Sequence, residues 1–356
     1  MKIVYFGFNS FRSHKRGVEN VIDFQSKSFP FERIYYICWG PRTEVYKEGK
    51  LCCLSIKHCW YWPIFLNLIL LRLKSRGQLI IHSHNQLMSF ISLYKSDILT
   101  VHDGVYYLNR CMKKKRSLLL KMVEIFAYKK SKLIHFISIF TKNQSLFSGN
   151  KRFVIIPNTS HFEPRVKATV SKSNRNGNGN GNGNGNCKVL IVRSIEERAR
   201  FDLLLDVAED VAGRKYTFYV AGKGPLLEFY KDAIANRNIE NIHLLGYTKD
   251  VDLLNLYADS DLLMMIAEYG EGFGLPVIEG YLFNKPVIAS NRCAIPEVII
   301  CHDYLFENST SSIIEKMNFA MMNGSLDFKS FYDENFSNKI ILGKMRALYM
   351  ECCYQP

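Results

Sequence analysis

Residues 271–279 read EGFGLPVIE, Glu271 to Glu279, between an apolar run at Leu262–Ile266 and another at Val287–Ala289. The glycines Gly272 and Gly274 let the backbone approach a ligand closely. Pro276 suits the first turn of a helix, where its missing N–H would be unpaired anyway. The stretch is therefore a loop that opens a helix just after a strand. N–H groups at such a helix start face an anion, with the helix dipole assisting. Glu271 sits on the loop, whereas Glu279 falls in the first turns of an otherwise apolar segment. A carboxylate is costly to bury without a partner, and the hydroxyls of a bound ligand would supply one to both. The plainer reading is a capped surface helix carrying two ordinary glutamates.

Outward from this stretch the same alternation repeats. Apolar runs recur at Val189–Val192, Phe218–Ala221 and Ile242–Leu245, with helical segments such as Leu226–Ile234 and Val251–Tyr257 between them. The first half carries Ile3–Phe6, Ile34–Cys38, Leu79–His82, Ile98–Val101, Leu133–Ile137 and Val154–Ile156, and Val18, Val21 and Ile22 repeat at helical spacing. Strand–helix alternation of this kind predicts parallel sheets covered by helices on both faces. From Asn176 to Asn186 Asn and Gly alternate without a break, which reads as a flexible linker. The expected architecture is α/β: one Rossmann-like domain over 1–170, a linker over 171–186, and a second Rossmann-like domain over 187–356, with the last helix as a candidate to pack back on the first domain. Ligands of open parallel sheets bind beyond the carboxyl ends of the strands. Gly17, His102, Asp103, Arg193, Gly222 and Glu271 all follow predicted strands.

A chain of 356 residues, 47% apolar, is long enough for two cores. Trp60 to Leu71 is the longest uncharged apolar run, broken by Pro63 and Asn67, and it falls short of the roughly 20 residues a spanning helix needs. The N-terminus begins on a strand-like MKIVYFGF and lacks the pattern of a signal peptide. These features predict a soluble, cytoplasmic protein. The ten cysteines form no pair of CxxC elements, so they are expected as inert thiols. Residues 1–170 carry 28 Lys and Arg against 9 Asp and Glu, whereas residues 171–356 carry 19 against 24. The basic half points to an anionic partner: nucleic acid, an anionic membrane or a phosphate-bearing substrate. No nucleic-acid recognition motif accompanies the charge, and the acidic second half argues against wrapping a polyanion.

Asp250-x-Asp252 and Asp259-x-Asp261 resemble metal-binding pairs, but one opens a predicted helix and the other closes it, so capping is the expected role. His82-x-His84 would share one face of a strand without an evident third ligand. No metal or other cofactor is expected.

The stretch AEYGEGFGLPVIEGYLFNKPVIASNRCAIPEVI (Ala267–Ile299) resembles the signature of glycosyltransferase family 4, retaining enzymes of the GT-B fold with a Glu-x7-Glu pair. IIHSHN (Ile80–Asn85), LTVHDG (Leu99–Gly104), VIIPNT (Val154–Thr159), AGKGP (Ala221–Pro225) and NIHLLGYTKDVDLLNLYADSDLL are similar to further segments of that family, in the same order. The likeness covers roughly residues 1–300. It implies two Rossmann-like domains whose parallel sheets face each other across a cleft, with domain closure gating turnover. It also implies that Glu271 contacts the donor sugar, that the backbone at Gly272, Phe273, Gly274 and Leu275 meets sugar and phosphate, and that Glu279 binds the ribose. His102 matches the family histidine facing the donor sugar, which makes Glu271 and His102 the candidate catalytic residues. Gly222 matches the family's GxGP turn.

Arg193 would give the donor diphosphate a permanent cation. The family follows such an Arg with a Lys before a Gly. Here the segment reads RSIEERARFD, so the second cation is Arg198 or Arg200, and Val192 replaces the usual Gly before Arg193. Of the family's paired-glycine loop, KRGVEN keeps only Gly17.

The resemblance implies sugar transfer from a UDP- or GDP-sugar, with retention, to a glycan or a polyprenyl-diphosphate-linked acceptor, as in bacterial O-antigen, capsule or exopolysaccharide synthesis. The basic first half then suits an anionic inner-membrane surface, with KKKR at 113–116, Leu118–Leu120 and Trp60–Trp62 as contact candidates. Rival readings are a catalytically idle GT-B binding subunit, a basic nucleic-acid-binding protein and, as a minor third, another GT-B enzyme such as an epimerase.

Overall fold

In the run Lys2–Asn9 every residue through Gly7 is buried, so neither face of this strand meets water. Strands of that kind belong inside parallel sheets covered on both sides. In the computed structural model, which describes all residues except 13–16, 58, 113–116, 167–185, 214–215, 324–325 and 355–356, this is β1 of an eight-stranded sheet. The chain forms two compact units, Met1–His161 with Lys339–Pro356, and Phe162–Asn338. The tract expected as a linker lies outside the described residues apart from Asn186, and so do residues 113–116.

The first sheet contains β1, β2 (Arg33–Gly40), β3 (Glu44–Glu48), β4 (Leu51–Lys57), β5 (Leu79–Ser83), β6 (Ile98–Val101), β7 (Leu133–Phe136) and β8 (Phe153–Ile155). Their order is β3-β4-β2-β1-β5-β6-β7-β8, and only the edge strand β3 runs antiparallel to its neighbour. Alternation along β1 divides the core in two. Ile3 and Tyr5 pack with Ile22, Tyr36, Met345 and Tyr349 on one face, while Val4 and Phe6 pack with Leu66, Leu70 and Ile81 on the other. The last helix, Asn338–Tyr354, buries Ile341, Met345, Leu348 and Tyr349 into the first of these cores. Their spacing is that of one helical face.

The second sheet is entirely parallel, in the order β11-β10-β9-β12-β13-β14. Its strands are β9 (Cys187–Val192), β10 (Tyr216–Ala221), β11 (Ile242–Gly246), β12 (Leu262–Met265), β13 (Val287–Ser290) and β14 (Leu305–Phe306). The helix Leu275–Leu282 lies tight against it: a Cβ on Gly280 would stand 2.5 Å from Val287 Cγ2. In each sheet the winding direction reverses beside the first strand, between β1 and β5 and between β9 and β12. Crevices beyond such reversals are where open α/β sheets bind ligands.

Candidate functional site

In the second unit, Arg193 follows β9 and Glu271 lies on the loop after β12, so both stand at the reversal point. The chain reaches the helix Leu275–Leu282 through Gly274, whose φ of +92° is left-handed backbone that glycine adopts without strain. Pro276 occupies the first turn. Glu271 Oε1 accepts a hydrogen bond from the Gly274 N–H at 2.9 Å, so the carboxylate caps the helix entry and that amide is engaged within the loop. The other oxygen, Oε2, lies 3.2 Å from Arg193 Nη1.

The Arg193 side chain is 7% exposed, whereas Glu271 is 21% exposed. Burial pulls the Arg193 guanidinium below its ordinary pKa, and the Glu271 charge opposes that fall. Arg193 Nε is buried with no hydrogen-bond partner among the described residues. A polar group in that state leaves capacity for an incoming acceptor.

The two candidates for the second cation separate clearly. Arg198 donates from Nη1 to the carbonyl of Gly270, in the Glu271 loop, and from Nε to Glu196 at 2.9 Å. Arg200 has a φ of +47° and is held by Asp202 and Glu268, each at 2.9 Å. Arg198 is thus the arginine tied to the Glu271 loop.

The Gly222 turn packs against the same region. A Cβ on Gly222 would come within 1.8 Å of the Arg193 carbonyl oxygen, and one on Gly224 within 2.1 Å of the Ile195 carbonyl oxygen. Both glycines are needed for two loops to touch backbone to backbone. Phe273 is buried with its ring edge-on to Phe336 at 6.0 Å, so its side chain anchors the loop in the core. Gly272 is buried and Leu275 is half-buried.

Glu279 is 6% exposed, and Tyr257 donates its hydroxyl to Oε2 at 2.7 Å. Burial, reinforced by the Glu279 charge, raises the Tyr257 phenol well above its ordinary pKa. Sequence reasoning offered no signal for Tyr257 as this partner. It also missed a network that fixes the loop after β12. There Ser290 Oγ accepts from the Ala267 N–H at 2.9 Å and donates to Asn308 Oδ1 at 2.7 Å, while Asn308 Nδ2 donates to Glu268 at 2.8 Å. Asp250 and Asp252 fall in the first turn of the helix Asp250–Asp259, where Asp250 pairs with Arg165 at 2.8 Å. Among the described residues, no group of three or more His, Cys, Asp or Glu side chains is placed to hold a metal ion.

The first unit holds the other two candidates. Gly17 is exposed and begins the helix Gly17–Gln25. His102 follows β6, and its Nε2 lies 2.8 Å from His84 Nδ1, the two rings stacked at 5.1 Å. His82 and His84 share one face, as their spacing predicted, but they belong to a hydrogen-bonded cluster. His135 Nε2 stands 2.8 Å from the Ile156 carbonyl, which can only accept, so this nitrogen carries the proton. Burial lowers the pKa of both His135 and His82, which keeps the two rings neutral near pH 7, and the rest of the series then has one direction. Thr100 donates to His135 Nδ1 at 2.8 Å, His82 Nε2 donates to Thr100 at 2.7 Å, and Tyr349 donates to His82 Nδ1 at 2.7 Å. Tyr5 completes it by donating to Tyr349 at 2.9 Å. Every imidazole in this series is neutral. Burial drives the pKa of His102 down to about 3, helped by His135, and burial drives that of His135 down to about 4. His84 Nε2 is buried without a hydrogen-bond partner among the described residues.

Among solved structures, HepE of Anabaena, in complex with UDP and glucose, is similar over 99% of both chains, with a TM-score of 0.72 at 14% identity. The fold is GT-B. Within it, residues 174–331 match the model of the family of glycosyl transferases group 1. Over 111 residues the chain is 31% identical to an uncharacterized 41.2 kDa protein in the cps region of Klebsiella pneumoniae, covering 31% of this chain and 29% of that protein. Over 58 residues it is 43% identical to the O-antigen chain mannosyltransferase B of Escherichia coli, covering 16% of this chain and 15% of that protein. The chain spans less than a third of the length of the curated relatives it matches. Among the described residues, no helix is long and apolar enough to cross a membrane.

Proposed function

We propose that this GT-B chain is a retaining hexosyltransferase of family 4. It would move a sugar from a nucleoside-diphosphate donor to a glycan or polyprenyl-diphosphate-linked acceptor in envelope polysaccharide synthesis. The observation that carries this reading is the buried Arg193 paired with Glu271, which itself caps the helix entry at Gly274. The UDP in the HepE complex supports a uridine nucleotide, and the O-antigen mannosyltransferase relative supports a polysaccharide product.

In this reaction the bond between the anomeric carbon and the diphosphate oxygen breaks, and the acceptor hydroxyl oxygen bonds to that carbon on the same face, its proton passing to the departing diphosphate. Negative charge grows on the departing diphosphate, where Arg193, Arg198 and the helix start beside Gly274 stabilise it. Glu271 would shift from capping the loop to receiving a sugar hydroxyl. Glu279, already held by Tyr257, would take the ribose hydroxyls. His102, neutral at physiological pH, would orient the sugar as a hydrogen-bonding group; it is not a covalent nucleophile. No step calls for a metal.

The test is a thermal-shift screen of UDP- and GDP-sugars, followed by donor hydrolysis without acceptor. A stabilising donor whose hydrolysis is lost in Glu271→Ala is the expected result. Binding without hydrolysis or transfer would identify an idle binding subunit, and no donor binding at all would sink the proposal.

A further inference from the structure

The helix Trp62–Lys74 has two apolar faces. Trp62, Leu66, Leu70 and Leu73 are buried in the core of the first unit. Ile64, Phe65, Leu68 and Leu71, at helical spacing on the opposite side, are exposed, Leu68 by 58% and Leu71 by 54%. A helix apolar all round normally lies inside something. The helix Ser117–Lys130 repeats the pattern: Val123 and Ala127 are buried, whereas Leu118, Leu119, Met122 and Phe126 face solvent, Leu118 by 72%.

The two exposed faces are joined. Leu93, 78% exposed, donates its N–H to Asn67 Oδ1 of the first helix. Lys130 of the second helix donates to the carbonyls of Phe90 and Ser92, on either side of the intervening turn, and the Phe90 and Phe126 rings lie 5.9 Å apart. Monomeric soluble proteins rarely expose an apolar face this continuous without a use for it.

Its charge names the occupant. Arg72, Lys74, Arg76, Lys121 and Lys129 are exposed on these helices or just past the first of them, and Lys95 is exposed beside the Leu93 turn. The two helices hold a single carboxylate, Glu124, which is buried and accepts from the Tyr106 and Leu146 N–H groups and the Tyr128 hydroxyl. Asp97 nearby is neutralised by Lys132 at 2.9 Å. A second copy docked on this face through two-fold symmetry would bring like charges together. Exposed Leu, Ile, Phe and Met between cations, with Trp60 and Tyr61 exposed at the start of the first helix, match a surface that sits in the headgroup layer of an anionic bilayer.

We propose that the face formed by the helices Trp62–Lys74 and Ser117–Lys130 and the Leu93 turn docks on an anionic lipid bilayer. Apolar side chains enter the acyl boundary while the cations hold headgroups. This rests on the first unit alone and is independent of the donor chemistry.

Co-sedimentation of the full chain with phosphatidylcholine vesicles, with and without phosphatidylglycerol, tests it. Binding is expected only with phosphatidylglycerol, weakening about fivefold for each cation removed in Lys121→Ala and Lys129→Ala. Leu68→Ser with Leu119→Ser should abolish binding while circular dichroism and any donor-induced thermal shift stay unchanged. Failure of the wild-type chain to pellet with anionic vesicles overturns the proposal. So does equal pelleting of the variants, or a concentration-dependent dimer that only the Leu68→Ser, Leu119→Ser variant loses.

Discussion

The substitution Glu271→Gln keeps an amide oxygen for the Gly274 N–H and removes the charge facing Arg193. Stranding a fully buried charge costs about 3–5 kcal/mol. Here the arginine end is 7% exposed and the carboxylate end 21%, so water reaches part of the pair and the expected loss is about 2 kcal/mol. For a domain of 150–250 residues that is a fall in Tm of about 4–8 °C. Glu271→Ala also strands the Gly274 N–H, adding about 1 kcal/mol. The decisive measurement is a double-mutant cycle by urea unfolding, with Arg193→Met alone, Glu271→Gln alone and the two combined. The combined variant leaves neither charge stranded and should recover about 1–2 kcal/mol relative to the sum of the single losses. Additivity within about 0.5 kcal/mol would refute the pair as an organising contact of the site.

Gly222→Ala places a methyl 1.8 Å from the Arg193 carbonyl oxygen, so the Arg193 loop must move; thermal unfolding should show a loss of about 1–3 kcal/mol, and calorimetry a weaker donor. Tyr257→Phe removes the hydroxyl held by the buried Glu279, at about 1–3 kcal/mol, and steady-state kinetics should show donor KM rising more than kcat falls. His82, His84, His102 and His135 all have lowered pKa values through burial. Below the ordinary histidine range the unfolded chain takes up protons that the folded chain refuses, so stability falls as pH drops from about 6.5 toward 4. His135→Gln should flatten the Tm–pH profile over that window, and an unchanged slope would rule out these groups as its source. Excess chelator should leave the initial rate of sugar transfer unaltered, whereas a loss restored by magnesium would contradict the metal-free reaction.

The strands were legible because burial on both faces of a parallel sheet leaves an unbroken apolar run, as in Ile3–Phe6 or Leu262–Ile266. The hairpin β3–β4 was not. Its edge strand EVYKE is mostly polar, and LCCLSIK is not among the apolar runs read as strands. Around the candidate site, a loop opening a helix after a strand was readable from Gly272, Gly274 and Pro276, whereas the positive φ of Gly274 and its cap by Glu271 were not. Partners supplied from afar were not. Tyr257 meets Glu279 from another helix, and His82 and His84 find Thr100, His135 and Tyr349 across separate strands and the last helix. A spacing of two places a pair on one face of a strand, but only the sheet order decides what that face meets.

The last helix carries a consequence for how the chain is made. The first unit lacks Ile341, Met345, Leu348 and Tyr349 until the second unit has been made, although its remaining residues are made before that unit. The second unit is one contiguous segment, Phe162–Asn338, so it can close while its predecessor still waits. Domains commonly fold in order of synthesis; here Tyr5 and His82 stay unpartnered by Tyr349 until the whole second unit has been made. Removal of the helix Asn338–Tyr354 would thus cost the segment made earlier, sparing the one made later.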